Sequence, residues 1–325
     1  MEHPRVKTRP PKKNPSTAGV YADLDGLIRL QYKAQGFSFL PRQPVHSILA
    51  GRHASRLRGR GLNFEEIRNY LPGDDIRNMD WKVTARTQKP HVRVYTEERD
   101  RPVLLLVDQR IGMFFGSQRN MKSVTAAEAA ALSAWRVFSA GDRVGAIVFN
   151  DSDMTVIEPR RSRQQVMKIL KAVVKQNHQL GLGKGIRSNP GMFNEVMERA
   201  LRLAKHDFLV CSIGDGNGVN EETVKLATLL TAHNDMLAGF VYDPIEADLP
   251  DTGRLVVAEE ELQLEVETSD KKFRKQFSDK FNDRLNWIKE MSRLRSIPVI
   301  PIHTGEGVAE QIRKSLGYHP PVRKV

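Results

Sequence analysis

Residues 103 to 149 read VLLLVDQRIGMFFGSQRNMKSVTAAEAAALSAWRVFSAGDRVGAIVF. Val103 to Val107 is an unbroken apolar run ending on Asp108, the pattern of a strand covered on both faces. An alanine-rich helix is expected from about Lys122 to Ala140, since alanine has the highest helix propensity and Gly141-Asp142 supplies a stop. Val144 to Phe149 then repeats the buried-strand pattern. Two such strands joined by a helix make a parallel crossover, and parallel strands need helices over both faces of the sheet.

The same rhythm continues downstream. After a turn at Asn150-Asp151-Ser152-Asp153, a short strand is expected at Met154 to Ile157, and Val166, Ile169, Leu170 and Val173 share one helix face. Helices near Met192 to Ala204 and Glu221 to Ala232 alternate with strands at Phe208 to Ile213 and Met236 to Tyr242. An amphipathic helix from roughly Lys271 to Leu294, a strand at Val299 to Ile302 and a helix carrying Val308, Ile312 and Leu316 complete the pattern. The fold class is therefore α/β, a doubly wound, mostly parallel sheet. Residues 254 to 267 break the rhythm and read as a hairpin, which the pattern allows to join the alternating strand around Val92 to Tyr95 in a small β-rich part.

Upstream, Ser55 to Arg86 is dense in charge and turn residues. Asn63 as N-cap, Glu66 three residues later, and Phe64, Ile67 and Leu71 at helical spacing predict a short helix from Asn63, stopped by Pro72-Gly73. Ile76, Met79 and Val83 suit one further turn. Six arginines (Arg56, Arg58, Arg60, Arg68, Arg77, Arg86) lie near five carboxylates (Glu65, Glu66, Asp74, Asp75, Asp80), with Tyr70 and Trp81 among them. Arginine pairs with carboxylates two bonds at a time, so this is either an ion-pair knot that fixes irregular backbone or a surface that also reads a partner's charges.

The pattern R-G-x-G-x-x-F-x-E-x-R-x-Y-x-x-G-D-D-x-R-x-x-D-W-x-x-x-A-R over Arg58 to Arg86 resembles the signature of the bacterial family named domain of unknown function fifty-eight. VLLLVD, the GDRVGAIVF of Gly141 to Phe149 and the DPIEADLP of Asp243 to Pro250 fit the same family, so the similarity covers roughly residues 20 to 317. It implies a von Willebrand A-like domain with a small β-rich part, and a partnership with a MoxR-type AAA+ ATPase as adaptor or co-chaperone. The expected organisation is a basic Pro-rich tail over 1–19, a first helix with the arginine motif and β-rich part over 20–101, the von Willebrand A-like domain over 102–317, and a tail over 318–325.

Ligands of open α/β sheets bind beyond the carboxyl ends of the strands, which points to Asp108 and Asp215. In von Willebrand A-like domains a Mg²⁺ site uses D-x-S-x-S after the first strand, a threonine from a middle loop and an aspartate after a later strand. Here Arg110 and Gly112 stand at the two serine positions, and Ser188 lies near the threonine position. Mg²⁺ needs a near-octahedral set of oxygens. The expectation is therefore no cofactor, with Arg110 as a built-in cation able to bridge Asp108 and Asp215.

No other stretch nominates catalysis. Gly181-Leu-Gly-Lys-Gly lacks the spacing and hydroxyl of a P-loop, Gly214-Asp-Gly-Asn-Gly reads as a turn, and the nine histidines show no metal-ligand spacing. Arginines beside Glu65-Glu66 and Asp74-Asp75 would keep those acids ionised, the opposite of a tuned general acid. Cys211, the single cysteine, sits in an apolar run and reads as a buried small hydrophobe.

The net charge is +12, with Arg5, Lys7, Arg9, Lys12 and Lys13 in the tail opposed only by Glu2. Such a balance suits nucleic acid, an anionic surface or an acidic protein. No apolar run reaches the ~20 residues that span a bilayer and no leader-like segment is evident, so the reading is cytoplasmic without membrane insertion. The leading expectation is a non-enzymatic interaction module serving the ATPase. Nucleic-acid binding through the tail and Arg58-Gly-Arg-Gly is the alternative, and a metal-dependent hydrolase a third.

Overall fold

The computed structural model describes residues 19–34, 62–97, 101–181, 184–251, 253–259 and 262–316. Two compact units emerge, one formed by Met1–Leu40 with Arg101–Val325 and the other by Pro41–Asp100. The first helix, α1 (Leu24–Arg29), belongs to the larger unit and not to the arginine motif as expected. Trp135 Nε1 donates to the Leu27 carbonyl at 3.1 Å, and the Ala22 amide to Asn177 Oδ1 at 2.7 Å, so burial of Leu27 and two long-range bonds decide its place.

Among the described residues the smaller unit is a hairpin with one α-helix. Strand β1 (Leu62–Asn69) lies where a helix from Asn63 was expected, and helix α2 (Trp81–Thr87) precedes strand β2 (His91–Glu97). The two strands pair antiparallel, with Phe64 opposite Tyr95 and Glu66 opposite Val94, so Glu65 is the extra residue of a bulge. That bulge shifts the two-residue alternation by one, which removed the strand signal and left an apparent capping box; pairing with β2 overrides the local helix preference. A 3₁₀ turn at Ile76–Asn78 follows the Pro72-Gly73 stop, with Gly73 at φ +104°.

In the larger unit the strands are β3 (Val103–Asp108), β4 (Val144–Phe149), β5 (Met154–Arg160), β6 (Leu209–Gly214), β7 (Asp235–Tyr242), β8 (Arg254–Glu259), β9 (Leu262–Glu267) and β10 (Val299–His303). Six of them form one sheet in the order β10-β7-β6-β3-β4-β5, parallel throughout except for β5 against β4. The β5 strand runs three residues beyond the expected Ile157 and is an edge, where Pro159 is tolerated. β8 and β9 form the expected hairpin as a separate two-stranded sheet, while β2 pairs with β1.

Helices α3 (Lys122–Ala140), α4 (Arg163–Asn177), α5 (Met192–Leu203), α6 (Glu221–Thr231), α7 (Pro244–Ala247), α8 (Lys271–Arg295) and α9 (Val308–Ser315) connect the strands. Alternation along β3 sends Val103, Leu105 and Val107 into one core with α1, α3, α4 and α9, and Leu104 and Leu106 into a second with α5 and α6. Each fully buried leucine contributes about 1.5–3 kcal/mol, and the central strand carries three in a row. This is the doubly wound sheet that the buried runs announce. Cys211 faces the first core from β6, 4% exposed, and burial pushes its thiol up to about 12.

Candidate functional site

The carboxyl ends of three adjacent strands of the larger unit deliver three aspartates to one place. Asp108 ends β3, Asp151 follows β4 and Asp215 follows β6. Parallel pairing of β3 with β4 and β6 puts Asp108 opposite Phe149 and Val107 opposite Ile213, which fixes the three loops side by side. Gly214 lets Asp108 approach: a Cβ there would stand 2.9 Å from the Asp108 Cβ.

Arg110 folds back onto Asp108. Its Nε reaches Oδ1 at 3.0 Å and Oδ2 at 3.1 Å, its Nη2 reaches Oδ2 at 2.6 Å, and the Arg110 amide donates to Oδ1 at 2.9 Å. Nη2 also donates to the Asn217 carbonyl at 2.8 Å, and the guanidinium lies 5.7 Å from the Phe149 ring centroid and 6.0 Å from that of Phe193. Burial pushes the Asp108 carboxyl above the usual carboxylate range, and the Arg110 charge opposes this. Burial would lower Arg110, but Asp108 and then Asp215 outweigh it and hold the guanidinium above its ordinary value. Donors converging on both oxygens are the geometry of an ionised acid.

Asp215 is neutralised by a different residue. Lys122 Nζ, from the first turn of α3, donates to Asp215 Oδ2 at 2.9 Å and to Glu246 Oε1 of α7 at 3.1 Å, and Arg284 Nη2 of α8 reaches the same Glu246 oxygen at 3.2 Å. The other Asp215 oxygen accepts the Asn217 amide at 2.9 Å. Burial would depress Lys122, yet the Asp215 and Glu246 charges carry it above the ordinary lysine value. Burial would likewise raise Asp215, and Lys122 followed by Arg284 brings it below the ordinary aspartate value. The bridge between the two aspartates that the sequence left open to Arg110 is not made by hydrogen bonds. Its free Nη2 direction is spent on the Asn217 carbonyl, and Lys122 holds Asp215.

The third aspartate fixes backbone. Asp151 Oδ2 accepts the Ile111 amide at 2.6 Å and Oδ1 accepts the Asn189 amide at 2.9 Å, so it pins the Arg110 loop to the segment of Ser188. Gly112 and Ser188 both border the small void between the three aspartates. This donor set does not fit an octahedral Mg²⁺: both oxygens of all three aspartates already accept N–H donors, and the two serine hydroxyls are replaced by Arg110 and Gly112.

Sequence reasoning placed Asp108, Arg110, Gly112 and Asp215 together, and the structure brings them together with Ser188. It missed Lys122, Asp151, Asn217, Glu246 and Arg284. Asp151 was within reach of the same strand-end rule that gave Asp215. Lys122 carried a subtler signal, a cation in the first turn of a helix, where the dipole disfavours it unless a carboxylate compensates.

The arginine motif of the smaller unit resolves into three carboxylates that hold backbone. Asp74 takes a two-bond fork from Arg68, 2.8 Å on each oxygen, and the Leu71 amide at 2.8 Å. Asp75 caps the 3₁₀ turn through the Arg77 amide at 3.0 Å. Asp80 caps α2 through the Val83 amide at 3.0 Å while Arg93 Nε, from outside the motif, reaches its other oxygen at 2.8 Å. Arg68 holds Asp74 below the usual carboxylate range, and the Val83 amide followed by Arg93 does the same for Asp80. Among the described residues Arg77 and Arg86 pair with no carboxylate. Tyr70 closes the hairpin base by donating its amide to the Pro90 carbonyl at 2.9 Å, and Trp81 is 66% exposed. Arg56, Arg58, Arg60 and the Glu65 side chain lie outside the described residues.

The chain is 30% identical over 221 residues to uncharacterized proteins of Mycobacterium bovis and Mycobacterium tuberculosis, covering 68% of this chain and 67% of each relative. Among solved structures it is similar to the conserved hypothetical protein BatB of Bacteroides thetaiotaomicron, 13% identical, covering 67% of this chain and 99% of that one at a TM-score of 0.39. It is also similar to a von Willebrand factor type A protein of Catenulispora acidiphila, 11% identical, covering 69% of this chain and 44% of that one at a TM-score of 0.36. Residues 66–285 match the family described as Protein of unknown function DUF58, a span that holds the Asp74 and Asp80 caps, the strand ends and the Lys122 relay, and the chain belongs to that family.

Proposed function

We propose that this chain is a non-enzymatic protein-interaction module that works in the cytoplasm as adaptor or co-chaperone of a MoxR-type AAA+ ATPase. The observation that carries the reading is the saturation of the strand-end site. A general acid or base needs an oxygen free to meet substrate, and a metal hydrolase needs oxygens free to meet the ion. Here every such oxygen is held by a donor of the same chain. The strand-end charges are buried, and what the smaller unit offers a partner is a turn fixed by Asp74 and Asp80 beside the exposed Leu71, Ile76 and Trp81. No helix among the described residues is long and apolar enough to cross a membrane.

The test is affinity capture of the tagged full chain from its own cells, with and without a slowly hydrolysed ATP analogue, followed by mass spectrometry. A AAA+ ATPase recovered in a nucleotide-dependent way is the expected result. Recovery dominated by nucleic acid, lost on nuclease treatment and falling steeply with salt, would replace the adaptor reading with the nucleic-acid one.

A further inference from the structure

We infer that Arg110 and Lys122 together stand in for a divalent cation, and that the shell behind them keeps the shape of a metal site that removal of one side chain reopens. The charges match. Two unit positive charges, on Arg110 and Lys122, contact the aspartates of the first and last strand ends at 2.6 and 2.9 Å. Glu246 and Arg284 form a further pair at 3.2 Å that leaves this sum unchanged. A dication would bring the same total to the same carboxylates.

The shape matches as well. Asp108, Asp151, Asp215, Ser188, Gly112 and Asn217 border a void of about 10 Å³ beside the Arg110 guanidinium, about the room of one water or one small ion. A Cβ at Gly112 would lie 3.5 Å from Asn217 Nδ2 and 4.0 Å from Asp215 Oδ2, ordinary contact distances. A serine therefore fits there, with its hydroxyl beside a site carboxylate. Replacing Arg110 releases both oxygens of Asp108 from its side chain. Lys122 still holds one oxygen of Asp215, so the reopened shell carries one positive charge fewer and a new set of oxygens.

This deepens the adaptor reading and rests on it in one respect: partner binding by the native chain would survive a chelator. The deciding experiment needs no partner. The purified full chain is titrated with MgCl₂ and MnCl₂ by calorimetry, as wild type and as Arg110→Ser/Gly112→Ser. The wild type gives a flat trace and a melting temperature equal in excess Mg²⁺ and in excess EDTA. The double variant binds with a dissociation constant of about 10⁻⁴–10⁻³ M, the range of weak oxygen-ligand sites, and adding Asp215→Asn abolishes the heat. Wild-type uptake of Mg²⁺ that Asp108→Asn removes overturns the inference. So does a double variant with native circular dichroism and a flat trace. Should the double variant lack native circular dichroism, Arg110→Ser alone is titrated in its place under the same criteria. Failure to capture an ATPase would sink the adaptor reading and leave this calorimetry as informative as before.

Discussion

Lys122→Met removes one ammonium and leaves two carboxylates. Lys122 and Asp215 side chains are each 3% exposed and Glu246 13%, so all three lie where charge is poorly solvated. Glu246 keeps Arg284 at 3.2 Å, whereas Asp215 keeps only the Asn217 amide as a hydrogen-bond donor. Removing one partner of a buried pair costs about 3–5 kcal/mol, because the other is left uncompensated. At about 2–4 °C per kcal/mol for a unit of this size, the melting temperature falls by roughly 6–20 °C. Asp215→Asn in the same background removes the stranded charge and restores part of the loss, so the double-mutant cycle shows coupling of about 0.5–3 kcal/mol.

The pH dependence of the same pair is fixed in sign. Asp215 is depressed below 3.8 in the fold, so its contribution is present above that value and lost as pH falls through the folded one. Lys122 is raised above 10.5, so its contribution is present below that value and lost as pH rises through the folded one. The gap in melting temperature between wild type and Lys122→Met therefore narrows toward acid pH, where the stranded Asp215 takes up a proton, and toward alkaline pH, where Lys122 gives up its own. Scanning calorimetry from acid to alkaline buffer reads it, and a Lys122→Met shift below about 2 °C at neutral pH, or strict additivity in the cycle, would refute the relay as the element that neutralises Asp215.

Asp80→Ala loosens the smaller unit more than Asp75→Ala, because Asp80 combines a helix cap with the Arg93 pair while Asp75 holds one amide; hydrogen exchange over residues 80–87 ranks them. In carbon-detected NMR of the full chain, Asp74 and Asp80 titrate below 3.8, and the order they give the turn fades as pH falls through those lowered values. Gly214→Ala drives a methyl to 2.9 Å from Asp108 Cβ and costs about 1–3 kcal/mol, visible in denaturant melts.

The sheet was legible because burial on both faces writes itself as continuous apolar runs, as at Val103 to Val107 and Val144 to Phe149. The hairpin was not, because the bulge at Glu65 breaks the alternation that marks a strand and the pairing that creates it lies about thirty residues away in β2. The site divides along the same line. Asp108 and Asp215 follow from their positions after strands, and Arg110 from its place two residues beyond Asp108. The pairing of Lys122 with Asp215 and Glu246 spans 93 and 124 residues, and no local pattern encodes which cation closes on which carboxylate.

Cys211 turns the central sheet into its own clock. It is the chain's single thiol, and alkylating reagents attack the thiolate, which burial withholds by moving the group up to about 12. The sulfur faces the core that β6 shares with α1, α3, α4 and α9, so it meets reagent only when that core opens. The pace of labelling in native buffer thus measures how often that opening occurs, without an engineered probe or denaturant.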